Sequence, residues 1–291
     1  MYIMLENPNQ PTIPKEAKMV LGGGGVYYKS ARPLIAETGL EISGKSKPNV
    51  LIIPTPKYKK EAHDALVEKS SAMYRDDIGV NVDYLHGFEQ MPDSDTLQDK
   101  FDKSDVIYIC GGDTKNAMKI WKENGVDTML QDAMKKGKVI TGISAGALAW
   151  FQKGHSDSQS YEVAEGEPWD FMAVDGMGNI NATATPHYNS TGTPDGRLRS
   201  EHFKDYLERN STNDAIEYGI GIDNNAAILA VDGLMRVIFN KNQAGIYIAG
   251  SDRSEKELDA PKFHSDESID RITSDGISWP DFYRQLKTKS K

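Results

Sequence analysis

An α/β protein with a mostly parallel sheet covered on both faces is predicted by three observations. Short apolar runs alternate with helix-like stretches from residue 18 to residue 150. The runs are mostly continuous in hydrophobicity, as strands buried on both faces must be. Two of them end in glycine turns that lead directly into helix-prone sequence.

Residues 1–17, with Pro8, Pro11 and Pro14, read as an extended arm ahead of one folded domain, residues 18–291. KMVLGGGG (18–25) is a first strand running into a glycine loop. Four successive glycines imply close approach to a ligand or to another chain segment. They are not the spaced G-x-G-x-x-G fingerprint, and no acidic residue follows in a well-placed second strand, which disfavours a dinucleotide. A helix is expected around 31–38, a second strand at NVLIIPT (49–55), and a helix over 59–77 that Gly79 stops. VNVDYLHG (80–87) and DVIYICGGDT (105–114) are the third and fourth strands. Helices at 115–124 and 126–136 lead to the fifth, KVITGI. In such sheets a ligand sits beyond the carboxyl ends of the strands, so the CGGDT turn and the segment after KVITGI are expected to share one crevice.

After Gly154 the chain turns polar and glycine-rich, and residues 154–180, with Trp169 and Phe171, read as a long functional loop. A helix at about 195–209 precedes four β-type runs. Turns at Asp232-Gly233 and at Asn240 to Gln243 suggest antiparallel hairpins among them. A short helix near 280–287 and a solvated KTKSK tail end the chain.

Composition narrows the function. With 291 residues, 38% hydrophobic and 26% charged, the chain reads as an ordinary soluble globular protein. No apolar run approaches the ~20 residues that span a bilayer, and the N-terminus has no secretory pattern. One cysteine, Cys110, excludes an intrachain disulfide framework and fits a cytoplasmic protein. A net charge of −9 argues against a nucleic-acid partner.

The chemistry is concentrated in KVITGISAGALAW (138–150), a strand, tight turn and helix with the G-x-S-x-G spacing of a nucleophile elbow. Ser144 is at the tip, and Gly142 and Gly146 leave room for a substrate carbonyl. The alternative is a glycine-containing turn with an incidental serine. A serine nucleophile needs a base, and the base an orienting partner. Of the six histidines, His63 and His202 sit in charged helical patterns that read as surface, His264 in a polar region, and His86 at a strand end without a motif. His155 and His187 remain. Pro186 fixes His187 at the end of a β-type segment, as a base requires, whereas His155 in GHSDS is either structural or substrate-facing. Neither H-E-x-x-H nor Cys/His ligand spacing occurs, so no metal and no cofactor are expected.

The motifs YICGGDT, GISAGA, GHSDS, PHYN and GIGIDNNAAILAVDG, in that order, resemble the S51 serine peptidases, the family of dipeptidase E (an aspartyl aminodipeptidase) and cyanophycinase. The similarity spans roughly residues 18–240. It implies a doubly wound sheet similar to class I glutamine amidotransferases, with serine replacing cysteine at the elbow. By motif, Ser144 matches the family nucleophile, His187 the base and Asp157 the acidic partner, with Ser158 an adjacent hydroxyl. The backbone N–H groups of Gly112 and Ala145 match the oxyanion donors. Two departures stand out. The family turn usually reads Gly-Gly-Gly-Asn, but here Asp113 closes it, and an ionised carboxylate near an oxyanion must point away, pair with a cation or change specificity. Asn224-Asn225 stand where an acidic residue is common; otherwise they are a turn before a strand.

The resemblance implies a serine exopeptidase, a dipeptidase acting on small peptides through an acyl-enzyme, with aspartyl peptides as the specific expectation. Arg197 and Arg199 are then either carboxylate anchors or solvated helix residues. The expected partners are a small peptide substrate and a second copy of the chain in a homodimer, with no membrane partner. The alternatives are an esterase or other acyl hydrolase, or a non-catalytic ligand-binding relative whose site Asp113 has spoiled.

Overall fold

The computed structural model describes residues 13–25, 34–54, 60–85, 91–164, 166–211, 217–240, 244–264 and 267–286. His86, most of the expected N-terminal arm, the turn at 241–243 and the KTKSK tail lie outside them. In chain order the first half comprises β1 (Lys18–Gly22), α1 (Leu34–Ser43), β2 (Asn49–Ile53), α2 (Lys60–Ala72), β3 (Asn81–Tyr84), α3 (Ser94–Lys103), β4 (Val106–Ile109), α4 (Thr114–Asn124), α5 (Val126–Lys135) and β5 (Val139–Ile143). Gly79, at φ 86°, ends the helical stretch after α2, as its sequence suggests.

The five strands lie parallel in the order β1-β5-β4-β2-β3. Their apolar runs are continuous because each face meets a different core. Met19, Leu21, Ile107, Ile109 and Ile140 join Leu97, Trp121 and Leu130 of α3–α5. Val20, Val106, Tyr108 and Val139 join Leu34, Ile35 and Ile42 of α1 on the other side. Gly22 pairs with Ile143 and Ile109 with Gly142, so the carboxyl ends of β1, β4 and β5 finish at one level. The glycine loop, the CGGD turn and the elbow therefore lie side by side.

The second half contains α6 (Ala145–Leu148), β6 (Phe151–Ser156), β7 (Met172–Asp175), β8 (Ile180–Thr185), α7 (Arg199–Asn210), β9 (Tyr218–Ile222), β10 (Ala226–Val231), β11 (Leu234–Phe239), β12 (Ile246–Gly250), β13 (Glu255–Glu257), β14 (Lys262–His264), α8 (Ile269–Thr273), β15 (Ile277–Ser278) and α9 (Trp279–Leu286). β10 pairs antiparallel with β1 and forms the expected hairpin with β11 through Asp232 (φ 54°) and Gly233 (φ 74°). β14 and β15 extend that edge.

A second, mixed sheet in the order β13-β12-β9-β8-β6-β7 was not legible in the sequence. The segment read as a long loop supplies the second half of β6 and all of β7, short strands carrying polar residues such as Gln152, Lys153 and Asp175. β11 and β12 do not form a hairpin across 240–243; β12 crosses to the second sheet, pairs with β9, and makes the other C-terminal hairpin with β13. No helix among the described residues is long and apolar enough to cross a membrane.

Candidate active site

Ser144 sits between β5 and α6 with φ 52° and ψ −113°, a conformation that costs a β-carbon residue on the order of 1–3 kcal/mol. Its backbone is held by Ser144 N–H to Gly22 O at 2.9 Å and by Leu148 N–H donating to Ser144 O at 2.9 Å. The flanking glycines are required by packing. A Cβ on Gly146 would lie 2.3 Å from Ile109 O, and one on Gly142 2.5 Å from Gly146 O. The G-x-S-x-G spacing is thus imposed by the close passage of α6 over β4 and β5.

His187 follows β8 and also has positive φ, 53°. Its Nε2 lies 2.9 Å from Ser144 Oγ, and its Nδ1 2.7 Å from Asn224 Oδ1. An amide oxygen only accepts, so Nδ1 carries the proton and Nε2 presents its lone pair to the serine hydroxyl. Burial, and then the Arg199 guanidinium, hold this imidazole below its ordinary pKa. Asn224 N–H donates to Asn189 Oδ1 at 2.9 Å, and Asn225, at φ 67°, donates to Gly24 O at 2.8 Å. The glycine loop closes the arrangement from the β1 side. Gly23 O accepts His187 N–H, and a Cβ on Gly24 would lie 2.2 Å from His187 Nδ1 and 2.3 Å from Asn224 Oδ1. Of the two approaches open to the tetraglycine, the one seen is to another chain segment.

The CGGD turn abuts the elbow: a Cβ on Gly111 would be 3.2 Å from Ser144 Cβ. Gly112, at φ 146°, follows Gly111 in that turn, and Ala145 follows Ser144 as the first residue of α6. As a first-turn residue, Ala145 has no helical acceptor for its N–H. Asp113 does not face this space. It is fully buried and caps α4, its Oδ1 accepting Asn116 N–H at 3.1 Å. The positive end of the helix holds this buried carboxylate, which has no exposed surface for the expected contact with substrate.

Asp157 is not the partner of His187, because Asn224 occupies Nδ1. Asp157 instead reaches Arg199 Nη1 at 3.5 Å and acts on His187 only through its charge. Ser158 Oγ accepts Lys115 N–H and pairs with Ser156 Oγ, joining the cap of α4. Arg199 is no solvated helix residue. It is 3% exposed, donates to Thr185 Oγ1 and His155 O, and lies 4.6 Å over the Phe171 ring. Arg197 precedes α7, pairs with Asp195 and Asp205, and lines a groove of about 440 Å³ with Trp169 and His202, to which Ser144 and His187 do not contribute.

The other histidines among the described residues make contacts of their own. His155 is fully buried, bonds Thr185 Oγ1 at 3.1 Å and stacks on Phe171, and burial holds its pKa well below the ordinary value. His63 and His202 are buried rather than on the surface, His202 bonding Asp195. His264 ends β14 against Phe239. Among the described residues no cluster of His, Cys, Asp and Glu has the geometry of a metal site.

The arrangement of strand, elbow, His187 and flanking turns coincides with a family match over residues 19–238. The chain belongs to peptidase family S51. It is 27% identical over 182 residues to the uncharacterized peptidase YgaJ of Bacillus subtilis, covering 59% of this chain and 68% of that one. It is 26% identical to the uncharacterized peptidase Lmo0363 of Listeria monocytogenes, covering 56% and 76%. In structure it is similar to a peptidase from an acI-B1 Actinobacterium, with TM-score 0.61, 19% identity and coverage of 83% and 93%. A putative peptidase E protein from Listeria monocytogenes gives TM-score 0.51, 16% identity and coverage of 77% and 99%. The S51 chain described here thus carries its doubly wound fold together with an asparagine on the imidazole.

Proposed function

We propose that this S51 peptidase is a serine-type dipeptidase that cleaves small peptides through an acyl-enzyme. The observation that carries the reading is the 2.9 Å contact between Ser144 Oγ and His187 Nε2, with Nδ1 fixed by Asn224. His187 takes the hydroxyl proton as Ser144 attacks the carbonyl, then gives it to the leaving amine. Water, deprotonated by the same imidazole, releases the acyl group. Gly112 and Ala145 N–H groups would receive the oxyanion, each worth roughly 10²–10³ in rate. Asn224 fixes the tautomer but brings no charge to the imidazolium.

Support for an exopeptidase comes from Asp157. Its side chain is one-third exposed, only its Oδ2 is engaged, and that contact is long at 3.5 Å. A carboxylate so placed suits the free ammonium of a peptide N-terminus. An aspartyl preference would rest on Arg199, the arginine near His187; Arg197 is committed to surface carboxylates. A phosphonate fluoride probe should label Ser144, and a dipeptide library read by mass spectrometry should show cleavage that Ser144→Ala abolishes. Labelling without any cleavage would remove the peptide substrate, and no labelling the nucleophile. Asp-X and Asn-X peptides, cleaved equally, would remove the aspartyl preference.

A further inference from the structure

We infer that Tyr188 is a positioning residue for His187, its phenol latched to Glu255 so that the strained base stays within reach of Ser144. The inference rests on the peptidase reading above. His187 holds φ 53°, and its own backbone has two restraints, N–H to Gly23 O and C=O from Ser190 N–H. A non-glycine residue in that region relaxes unless its surroundings hold it. The surroundings are supplied by the next residue. Tyr188 is 3% exposed, and its N–H donates to Ile222 O while its C=O accepts Ser200 N–H. Its ring stacks on Tyr247 at 5.5 Å and meets the Phe203 edge at 6.3 Å. It also lies flat on Gly221, where a Cβ would be 2.3 Å from the ring.

The hydroxyl has a partner of its own. It donates to Glu255 Oε2 at 2.5 Å, and the same oxygen takes Lys204 Nζ at 3.0 Å. One phenol therefore ties the residue after the base to β13 and, through Lys204, to α7. Its backbone bond to Ile222 joins it to the strand end that leads to Asn224. Rotation of Tyr188 out of this slot would move the imidazole relative to both of its partners. Since a misplacement of about 1 Å in a reacting group costs on the order of a hundredfold, the latch acts on rate rather than on substrate affinity.

The test compares wild type with Tyr188→Phe, Glu255→Ala, their double variant and Glu255→Gln. The measurements are kcat, KM and the rate of Ser144 inactivation by a phosphonate fluoride, with melting temperature recorded. Tyr188→Phe and Glu255→Ala should each lower kcat and the inactivation rate roughly tenfold or more with KM unchanged. The double should be no worse than Glu255→Ala, because the Tyr188–Glu255 bond is already broken in that single variant. Glu255→Gln, whose amide oxygen still accepts the phenol, should keep most of the rate. Wild-type inactivation rates in both single variants, multiplied losses in the double, or an effect on KM alone would overturn the inference. If Tyr188→Phe does not fold, the contrast between Glu255→Ala and Glu255→Gln decides it. A wild type that neither cleaves peptides nor reacts with the probe fails the peptidase reading, an outcome distinct from unchanged rates in the variants.

Discussion

At Ser144 and His187 the backbone is held at positive φ on both partners of one hydrogen bond, so the reacting geometry is built into main chain rather than left to side-chain rotamers. The neutral Asn224 then sets the electrostatics. Burial and Arg199 both depress the imidazole, and the Asn224 hydrogen bond and the Asp157 charge oppose them with smaller effect. A base is useful only when neutral, so lowering its pKa extends activity toward acid. The acid limb of kcat/KM should fall below the ordinary histidine value of about 6.5. Asn224→Asp would put a carboxylate on Nδ1, stabilise the imidazolium, and shift that limb upward while raising kcat about tenfold or more. A pH–rate profile of the two proteins checks both; an unmoved limb would mean that Asn224 is not the orienting group. The two candidate bases separate in the same assay. His187→Ala should cost about as much as Ser144→Ala, because residues acting as a unit are lost as a unit. A larger loss at His155 than at His187 would reverse the assignment.

Among the elements, the glycine loop after β1 has the narrowest tolerance. Gly24 faces the edge of the imidazole and the amide of Asn224 with no room for a methyl group. Gly24→Ala should reduce kcat at least a hundredfold by displacing one of them, while the described core residues of β1, such as Val20 and Leu21, keep their packing. Circular dichroism and melting alongside kinetics test this; a variant both folded and fully active would show that the loop yields. The β10–β11 turn makes the contrast. Gly233, also at positive φ (74°), is remote from Ser144, and Gly233→Ala should cost on the order of 1 kcal/mol of stability with little change in rate.

The whole molecule depends on how the two sheets are joined where β9 leaves for β10, and the residue there is Asp223. It is 5% exposed, its Oδ2 accepts Gly245 N–H at 3.0 Å, and burial raises its pKa to about 6. A carboxyl raised above its unfolded value of 3.8 favours the folded state fully below that value, and the benefit is lost as pH rises through about 6. Above pH 6 the ionised side chain is a burden. Asp223→Asn keeps an acceptor for Gly245 and should therefore melt above wild type at pH 8, by on the order of 2 kcal/mol, with the difference shrinking toward pH 4. Denaturant titrations at the two pH values measure it, and an equal difference at both would rule out titration as the cause.

Much of the molecule is decided locally and was legible without coordinates. The apolar runs of β1, β2, β4 and β5 announce a sheet buried on both faces, and G-x-S-x-G announces the elbow because the glycines that permit it are sequence neighbours of the serine. Pro186 likewise marks His187 by fixing the chain beside it. The partner of His187 was not decidable this way. Asp157 stands in a fitting motif, yet Asn224, 37 residues beyond the histidine, arrives on Nδ1 because β9 ends beside the glycine loop. Asp113 read as an intrusion at the oxyanion until the start of α4 supplied the N–H that holds it elsewhere. β6 and β7 are too short and too polar to show a period, and they become strands only when the chain around β8 gives their backbone groups partners. Periodicity, glycine spacing and proline are properties of neighbouring residues. Which amide meets an imidazole, and which carboxylate caps a helix, depends on segments that only the closed fold brings within three ångströms or so of each other.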